Sequence, residues 1–209
     1  GCVETGAFGK EAYILTGYFN LPKVLEITLN NGFDPVSGLR LGIQTGDPNG
    51  FSSFDELFDA YSRQLHHFID IKVQGNHMIE KLYATRMPVP FLSICVDDCI
   101  QKGMDYNAGG ARYNTSYIQG VGIGTLTDSL AAIQYNIFDN QRFTMAELLA
   151  ALQDNFVGHD RLHHWVCEKT PKYGNDDDYA DALMIRAFRA YHDEVTGRPN
   201  RKGGFYRID

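Results

Sequence analysis

Cysteine, positive charge and long apolar runs are all scarce in this chain. Its four cysteines, Cys2, Cys95, Cys99 and Cys167, are widely spread and form no CxxC pair. That excludes a disulfide scaffold and points to a reducing interior, the cytoplasm. Basic residues number 19 against 26 acidic ones, a net charge of −7, with no basic block, so nucleic acid is not an expected partner. No apolar run approaches the roughly 18 residues a membrane span needs, and no secretory leader is visible. Internal repeats and low-complexity tracts are lacking as well. What is present is a 44% hydrophobic share over 209 residues, enough for a substantial core.

Several helices announce themselves. Pro22 suits a first helical turn and Gly32 the residue past the end, so 22–31 is expected to be helical. Residues 33–50 hold turn pairs around LRLGIQ and predict a small hairpin excursion. Ser53-x-x-Glu56 reads as a capping box opening a helix that reaches Ala84, with Gly75 as a candidate interruption. Pro88 and Pro90 forbid helix continuation, and PVPFLSI predicts a buried strand. Shorter helices are expected over 97–102, 127–138 and 160–169, with another capped by Thr144-x-x-Glu147. A last helix over 177–195 has aromatic residues expected in the core, and GGFYRID reads as a strand. Helices alternating with a few apolar strands predict an α/β architecture. Both ends read as interior positions, so a piece of a larger protein is expected.

Chemistry concentrates at Gly1-Cys2-Val3-Glu4. In extended chain, residues two apart face one side, so Cys2 and Glu4 could share one small volume. A nucleophilic sulfur beside a proton-carrying carboxyl fits that pattern. A buried inert thiol and a solvated carboxylate fit it too. Cys95 and Cys99 in CVDDC would share a helical face; with no second half to a metal site, buried structural thiols are favoured. His159 and His163 are four apart but lack a third ligand, and Asp176-Asp177-Asp178 suits helix capping. Gly120-Val121-Gly122-Ile123-Gly124 lacks nucleotide-loop spacing and is read as tight backbone packing. The run from Asp105 to Asn114 is either a structural turn network or the wall of a polar pocket.

Taken together, these segments resemble the glycyl radical enzymes, the pyruvate formate-lyase-like family. GCVE (1–4), CIQKGMDYNAGGARYN (99–114) and GVGIGTLTDSLAAI (120–133) are similar to three motifs of that family and stand in its order. Thr5 replaces the Pro that follows GCVE in choline and glycerol enzymes, and residues 5–32 are most similar to the branch that dehydrates trans-4-hydroxy-L-proline.

The resemblance implies part of a ten-stranded α/β barrel, with residues 1–209 as its central-to-C-terminal portion starting at the catalytic Cys loop. It implies catalytic roles for Cys2, as thiyl radical, and Glu4, as general acid/base. Tyr18 would lie against the substrate ring, and loss of water would give 1-pyrroline-5-carboxylate. The implied cofactor is a glycyl radical installed by a radical-SAM activase. It would lie outside this chain, because no R-V-x-G-[YF] motif occurs here. No metal or other cofactor is expected on the chain. The implied partners are the small-molecule substrate, the activase, the rest of the parent polypeptide and, in a homodimer, a second copy. Other substrates of the family, namely glycerol, propanediol, choline or isethionate, and an inactive structural piece are the alternatives.

Overall fold

The computed structural model describes residues 6–208. The chain divides into two compact units. One comprises residues up to Phe19, Ile69–Gly120 and the segment from His192; the other comprises Asn20–Phe68 and Val121–Tyr191.

The first unit is built on a three-stranded sheet. Strand β1 (Ile14–Asn20) borders β4 (Ser116–Val121), which in turn borders β5 (Tyr206–Ile208). Strands β4 and β5 run parallel, with Ser116 opposite Tyr206 and Ile118 opposite Ile208. Ile118 and Tyr206 are fully buried. A parallel pair needs long connections; here 84 residues separate the ends of β4 and β5 (121 to 206). Helix α2 (Phe54–Arg86) is 33 residues long, about 50 Å at 1.5 Å per residue, and begins in the second unit before passing into the first at Ile69. Gly75 does not interrupt it. Its capping box is shifted: Ser53 accepts the Glu56 N–H, but the Glu56 carboxylate reaches back to the backbone and hydroxyl of Ser52.

The expected strand at PVPFLSI is instead helix α3 (Pro90–Ile94), followed by α4 (Cys99–Lys102). Proline is tolerated at a helix start because its missing N–H has no partner there. The Asp105 carboxylate then accepts the Val89 N–H and the Ser93 hydroxyl. Phe91 and Ile94 are exposed rather than buried, Phe91 by 81%. Cys95 and Cys99 therefore end one helix and open the next. Cys99 is buried as expected, whereas Cys95, at the end of α3, is exposed.

The second unit is mostly helical. Helix α1 (Leu21–Leu29) starts on the Asn20 cap with Pro22 in its first turn and buries Leu21, Val24, Leu25 and Ile27. It is followed by the hairpin of β2 (Phe33–Asp34) and β3 (Leu39–Arg40). Helix α5 (Ile123–Ile133) runs into a wider π turn over Gln134–Asp139, buries Leu126, Leu130, Ala131 and Ile133, and packs on α1. The Gly122 backbone passes so close to Pro22 that a Cβ there would lie 2.7 Å from its ring, the tight packing expected of this glycine run. Helix α6 (Met145–Gln153) carries the full Thr144–Glu147 capping box. Helices α7 (Asp160–Glu168) and α8 (Asp178–Val195) complete the unit. Of the α8 aromatics, Tyr191 is buried as expected, but Phe188 stays half-exposed.

Candidate active site

The sequence places its candidate catalytic residues in the segment leading from the first residues into β1. Cys2 and Glu4 lie outside the described residues. Ala7–Lys10 forms a turn in which Lys10 and Glu11 both donate to the Ala7 carbonyl, at 2.8 and 2.9 Å. Gly9 sits at φ +79, a conformation open to glycine. Beyond the turn, Glu11 bridges to Tyr113, the Ala12 N–H donates to Tyr113 O at 2.8 Å, and the Tyr113 N–H donates to Lys10 O at 3.0 Å.

Strand β1 is then held at Thr16. The Lys72 ammonium donates to the Thr16 carbonyl at 2.6 Å, and Asn76 donates to the Thr16 hydroxyl at 2.8 Å. That hydroxyl in turn donates to the Tyr117 carbonyl at 2.7 Å. Burial lowers the pKa of Lys72. Gly17 has φ +125, and a side chain there would meet the Lys72 ammonium at 2.9 Å. Tyr18 follows directly, with 63% of its surface exposed. Around the base of the strand, the Tyr13 and Tyr117 rings stack at 4.4 Å.

The glycine-rich segment resolves as a turn network rather than a pocket wall. Asp105 holds Val89, Ser93 and Asn107. Asn107 donates to Met87 O and Asn114 to the carbonyls of Gly109 and Ala111. Arg112 pairs with Asp98 at 2.8 Å, which holds the Asp98 carboxyl below its ordinary range. A Cβ on Gly110 would lie 2.1 Å from Met104 O, so glycine is required there.

Behind β4 lies a buried polar cluster that the sequence did not disclose. Glu80, on α2, accepts the Ser116 hydroxyl and the Arg201 N–H. Lys202, also buried, donates to Thr115 O at 3.1 Å, and desolvation pulls its pKa down to about 8 against the opposing pull of Glu80 and Glu11. Polar residues recurring at 72, 76 and 80 along α2 were the available signal, since two steps of four keep one helical face.

The remaining candidates have local roles. His159 pairs with Asp154, His163 lies 3.3 Å from the Cys167 sulfur, and Asp177 caps the start of α8 through the Tyr179 N–H. Among the described residues, no three His, Cys, Asp or Glu gather where they could hold a metal ion, and no helix is long and apolar enough to cross a membrane. The second unit has a largely apolar groove of about 900 Å³ between α1, α5 and α6, which contains none of the expected site residues.

The pyruvate formate lyase-like family model matches residues 1–209, the whole chain. The chain belongs to that family. It is 62% identical over its full length to trans-4-hydroxy-L-proline dehydratase of Clostridioides difficile. The structure of that enzyme with trans-4-hydroxy-L-proline bound superposes with a TM-score of 0.99, covering 100% of this chain and 26% of the relative. The glycerol-bound B12-independent glycerol dehydratase of Clostridium butyricum gives 0.89 at 35% identity, over 96% of this chain and 25% of the other. A glycyl radical enzyme of Archaeoglobus fulgidus gives 0.87 at 35% identity, over 100% and 26%. The chain thus spans about a quarter of the length of these relatives. The α/β fold expected from the sequence is the fold of these glycyl radical enzymes.

Proposed function

We propose that this chain is the Cys-loop portion of a glycyl radical dehydratase that removes water from trans-4-hydroxy-L-proline to give 1-pyrroline-5-carboxylate. The observation that carries the reading is the match, at 62% identity over the full length of the chain, to a dehydratase solved with that substrate bound. The tetrapeptide GCVE and Tyr18 are the chain's own contribution to it.

In this reading the glycyl radical, carried by the parent polypeptide outside residues 1–209 and installed by a radical-SAM activase, supplies a hydrogen-atom acceptor. Cys2 gives up its thiol hydrogen and, as a thiyl, takes a hydrogen atom from the ring carbon next to the one bearing the hydroxyl. Glu4, as general acid/base, donates the proton with which the hydroxyl departs as water and takes one back as the ring nitrogen loses its N–H proton in forming the imine. The Cys2 thiol then returns its hydrogen to the product radical. Tyr18 offers an aromatic face to the ring and a hydroxyl to its polar edge. The fixing of β1 at Thr16 by Lys72 and Asn76, two residues before Tyr18, suits a wall that must hold a small cyclic substrate in register. A homodimer of the parent fits the same reading.

The test is anaerobic turnover of hydroxyproline by the activated full-length protein. Wild type is expected to release pyrroline carboxylate, Cys2→Ser to be inactive, and Tyr18→Phe to lose about tenfold in kcat/KM, the worth of one hydrogen bond. Turnover by Cys2→Ser would rule out the thiyl step. Rapid turnover of glycerol, propanediol, choline or isethionate with hydroxyproline inert would overturn the substrate assignment alone.

A further inference from the structure

The geometry points to Lys72 as a positioning residue that aims Tyr18, its ammonium taking the part of the side chain that Gly17 lacks. This deepens the dehydratase reading and rests on it for Tyr18 as the residue that meets the substrate. Gly17 stands between Thr16 and Tyr18 in β1 and has φ +125, a conformation that L side chains rarely adopt. Glycine makes that backbone angle accessible, and it also leaves the chain least constrained there. The loosest joint of the strand thus comes one residue before the side chain that must be directed. The Lys72 ammonium acts on that joint. It donates to the Thr16 carbonyl at 2.6 Å and stands 2.9 Å from where a Cβ on Gly17 would lie. The Thr16 carbonyl belongs to the planar peptide unit that joins Thr16 to Gly17. A bond to it therefore opposes rotation about ψ of Thr16 and φ of Gly17 together.

Lys72 is one half of a two-point hold. Asn76, one turn along α2, donates to the Thr16 hydroxyl at 2.8 Å, and that hydroxyl donates to the Tyr117 carbonyl of β4 at 2.7 Å. Asn76 fixes the Thr16 side chain; Lys72 acts on the peptide unit that follows. The support is firm, because Ile69, Val73 and Asn76 are buried on the same stretch of α2. Beyond Tyr18, Phe19 is buried, whereas Tyr18 keeps 63% of its surface exposed. With so little of the ring packed, its direction is set chiefly by the backbone that enters it. An aromatic face serves a small cyclic substrate in one orientation, and a misplacement of about 1 Å can cost about 100-fold in rate.

The experiment uses the full-length, unactivated protein and two readouts. A 3-fluorotyrosine at residue 18 is followed by fluorine NMR, with the same label at exposed Tyr173 as the control. Lys72→Met keeps the aliphatic stem and removes the donor. It is expected to shift or split the residue-18 signal and to leave the residue-173 signal unchanged. Lys72→Arg, which keeps a donor, is expected to return a single residue-18 signal. Should Lys72→Met fail to fold, Lys72→Ala removes the ammonium without crowding Gly17 and carries the same expectation. Binding of hydroxyproline gives the second readout. Loss of the Lys72 donor is expected to weaken Kd about tenfold where Tyr18 is present. In a Tyr18→Ala background the same change should cost less than about twofold, the non-additivity of residues that act as one. A lysine that merely stabilised the strand would weaken binding equally in both backgrounds. An unchanged residue-18 signal in the variant lacking the donor, or equal weakening with and without Tyr18, would overturn the inference. If hydroxyproline fails to bind wild type, or binds Tyr18→Ala as tightly as wild type, the dehydratase reading of Tyr18 fails, while the fluorine signal still decides whether Lys72 aims residue 18.

Discussion

The two units of this chain are held together by different physics. In the second, most buried side chains are apolar, Leu21, Leu57, Leu65, Leu126, Leu130 and Ala131 among them, and the polar minority includes Thr28, Gln64, Thr127 and Asn136. In the first, Ile69, Ile118 and Val195 share the interior with Asn76, Glu80, Ser93, Asn107, Ser116 and Lys202. Its backbone segments approach more closely than side chains allow at Gly109, Gly110 and Gly204, as those of the second unit do at Gly32 and Gly122. An apolar helical core tolerates small readjustments, because its contacts are numerous and non-directional. A polar interior specifies one arrangement, because each buried group must keep its partner. The unit that carries Tyr18 is the one whose smaller core holds the larger share of buried polar groups.

The sharpest way to break this contrast is at Gly204, where a Cβ would fall 1.7 Å from Asn114 O. Gly204→Ala must push β4 and β5 apart or leave the Gly204 N–H bond to Asn200. The expected loss exceeds about 4 kcal/mol, beyond the ordinary range for point changes. Hydrogen exchange should show protection lost across 114–118 and 204–208 and kept over 123–133. Next comes Glu80→Ala, which strands the Ser116 hydroxyl and the Arg201 N–H and leaves Lys202 with Glu11 but without the Glu80 carboxylate that favours its charge; about 3–5 kcal/mol is expected in urea unfolding. Leu130→Ala in the second unit should cost about 2–4 kcal/mol and raise exchange over α1 and α5. If Glu80→Ala proves cheaper than Leu130→Ala, the proposed division between the units fails.

Legibility in the sequence followed the same division. The second unit could be read because its signals are local. Pro22, Thr144 with Glu147, and the apolar spacing of 126, 130 and 133 each declare a helix within a few residues. The first unit hid its logic in distance. PVPFLSI looks like a buried strand until Asp105 is known to cap Val89 from 16 positions away, which makes Pro90 a helix start. Lys72 and Asn76 look like a solvated helix face until Thr16 is known to lie beneath them, 56 and 60 positions upstream. The candidate site shared that limit. Tyr18 was reached by family resemblance, not by chemistry. Spacing within a segment carries information about caps and faces; it carries none about which distant group completes a polar pair.

The finest test of the contrast is a pH slope at Lys202. Burial depresses its pKa from 10.5 to about 8 in the folded protein. Between those values the unfolded chain binds more protons than the folded one, so stability must rise with pH over this window. At pH 7 the ammonium is charged in both states and its burial cost is carried in full; the cost is relieved as pH climbs through 8. From pH 8 to 9 the gain should be about 1 kcal/mol. Tyr206, whose hydroxyl burial holds above its ordinary range, works in the opposite direction but only above about pH 10. Urea unfolding of wild type and Lys202→Met at pH 7, 8 and 9 isolates the slope, because the variant keeps the packing volume and lacks the titrating group. The difference in unfolding free energy between the two should move in favour of wild type by about 1 kcal/mol from pH 8 to 9. A flat difference would mean that the Lys202 ammonium is as well solvated as a surface lysine, and the interior of the first unit would then not be the dry polar cluster on which its single arrangement depends.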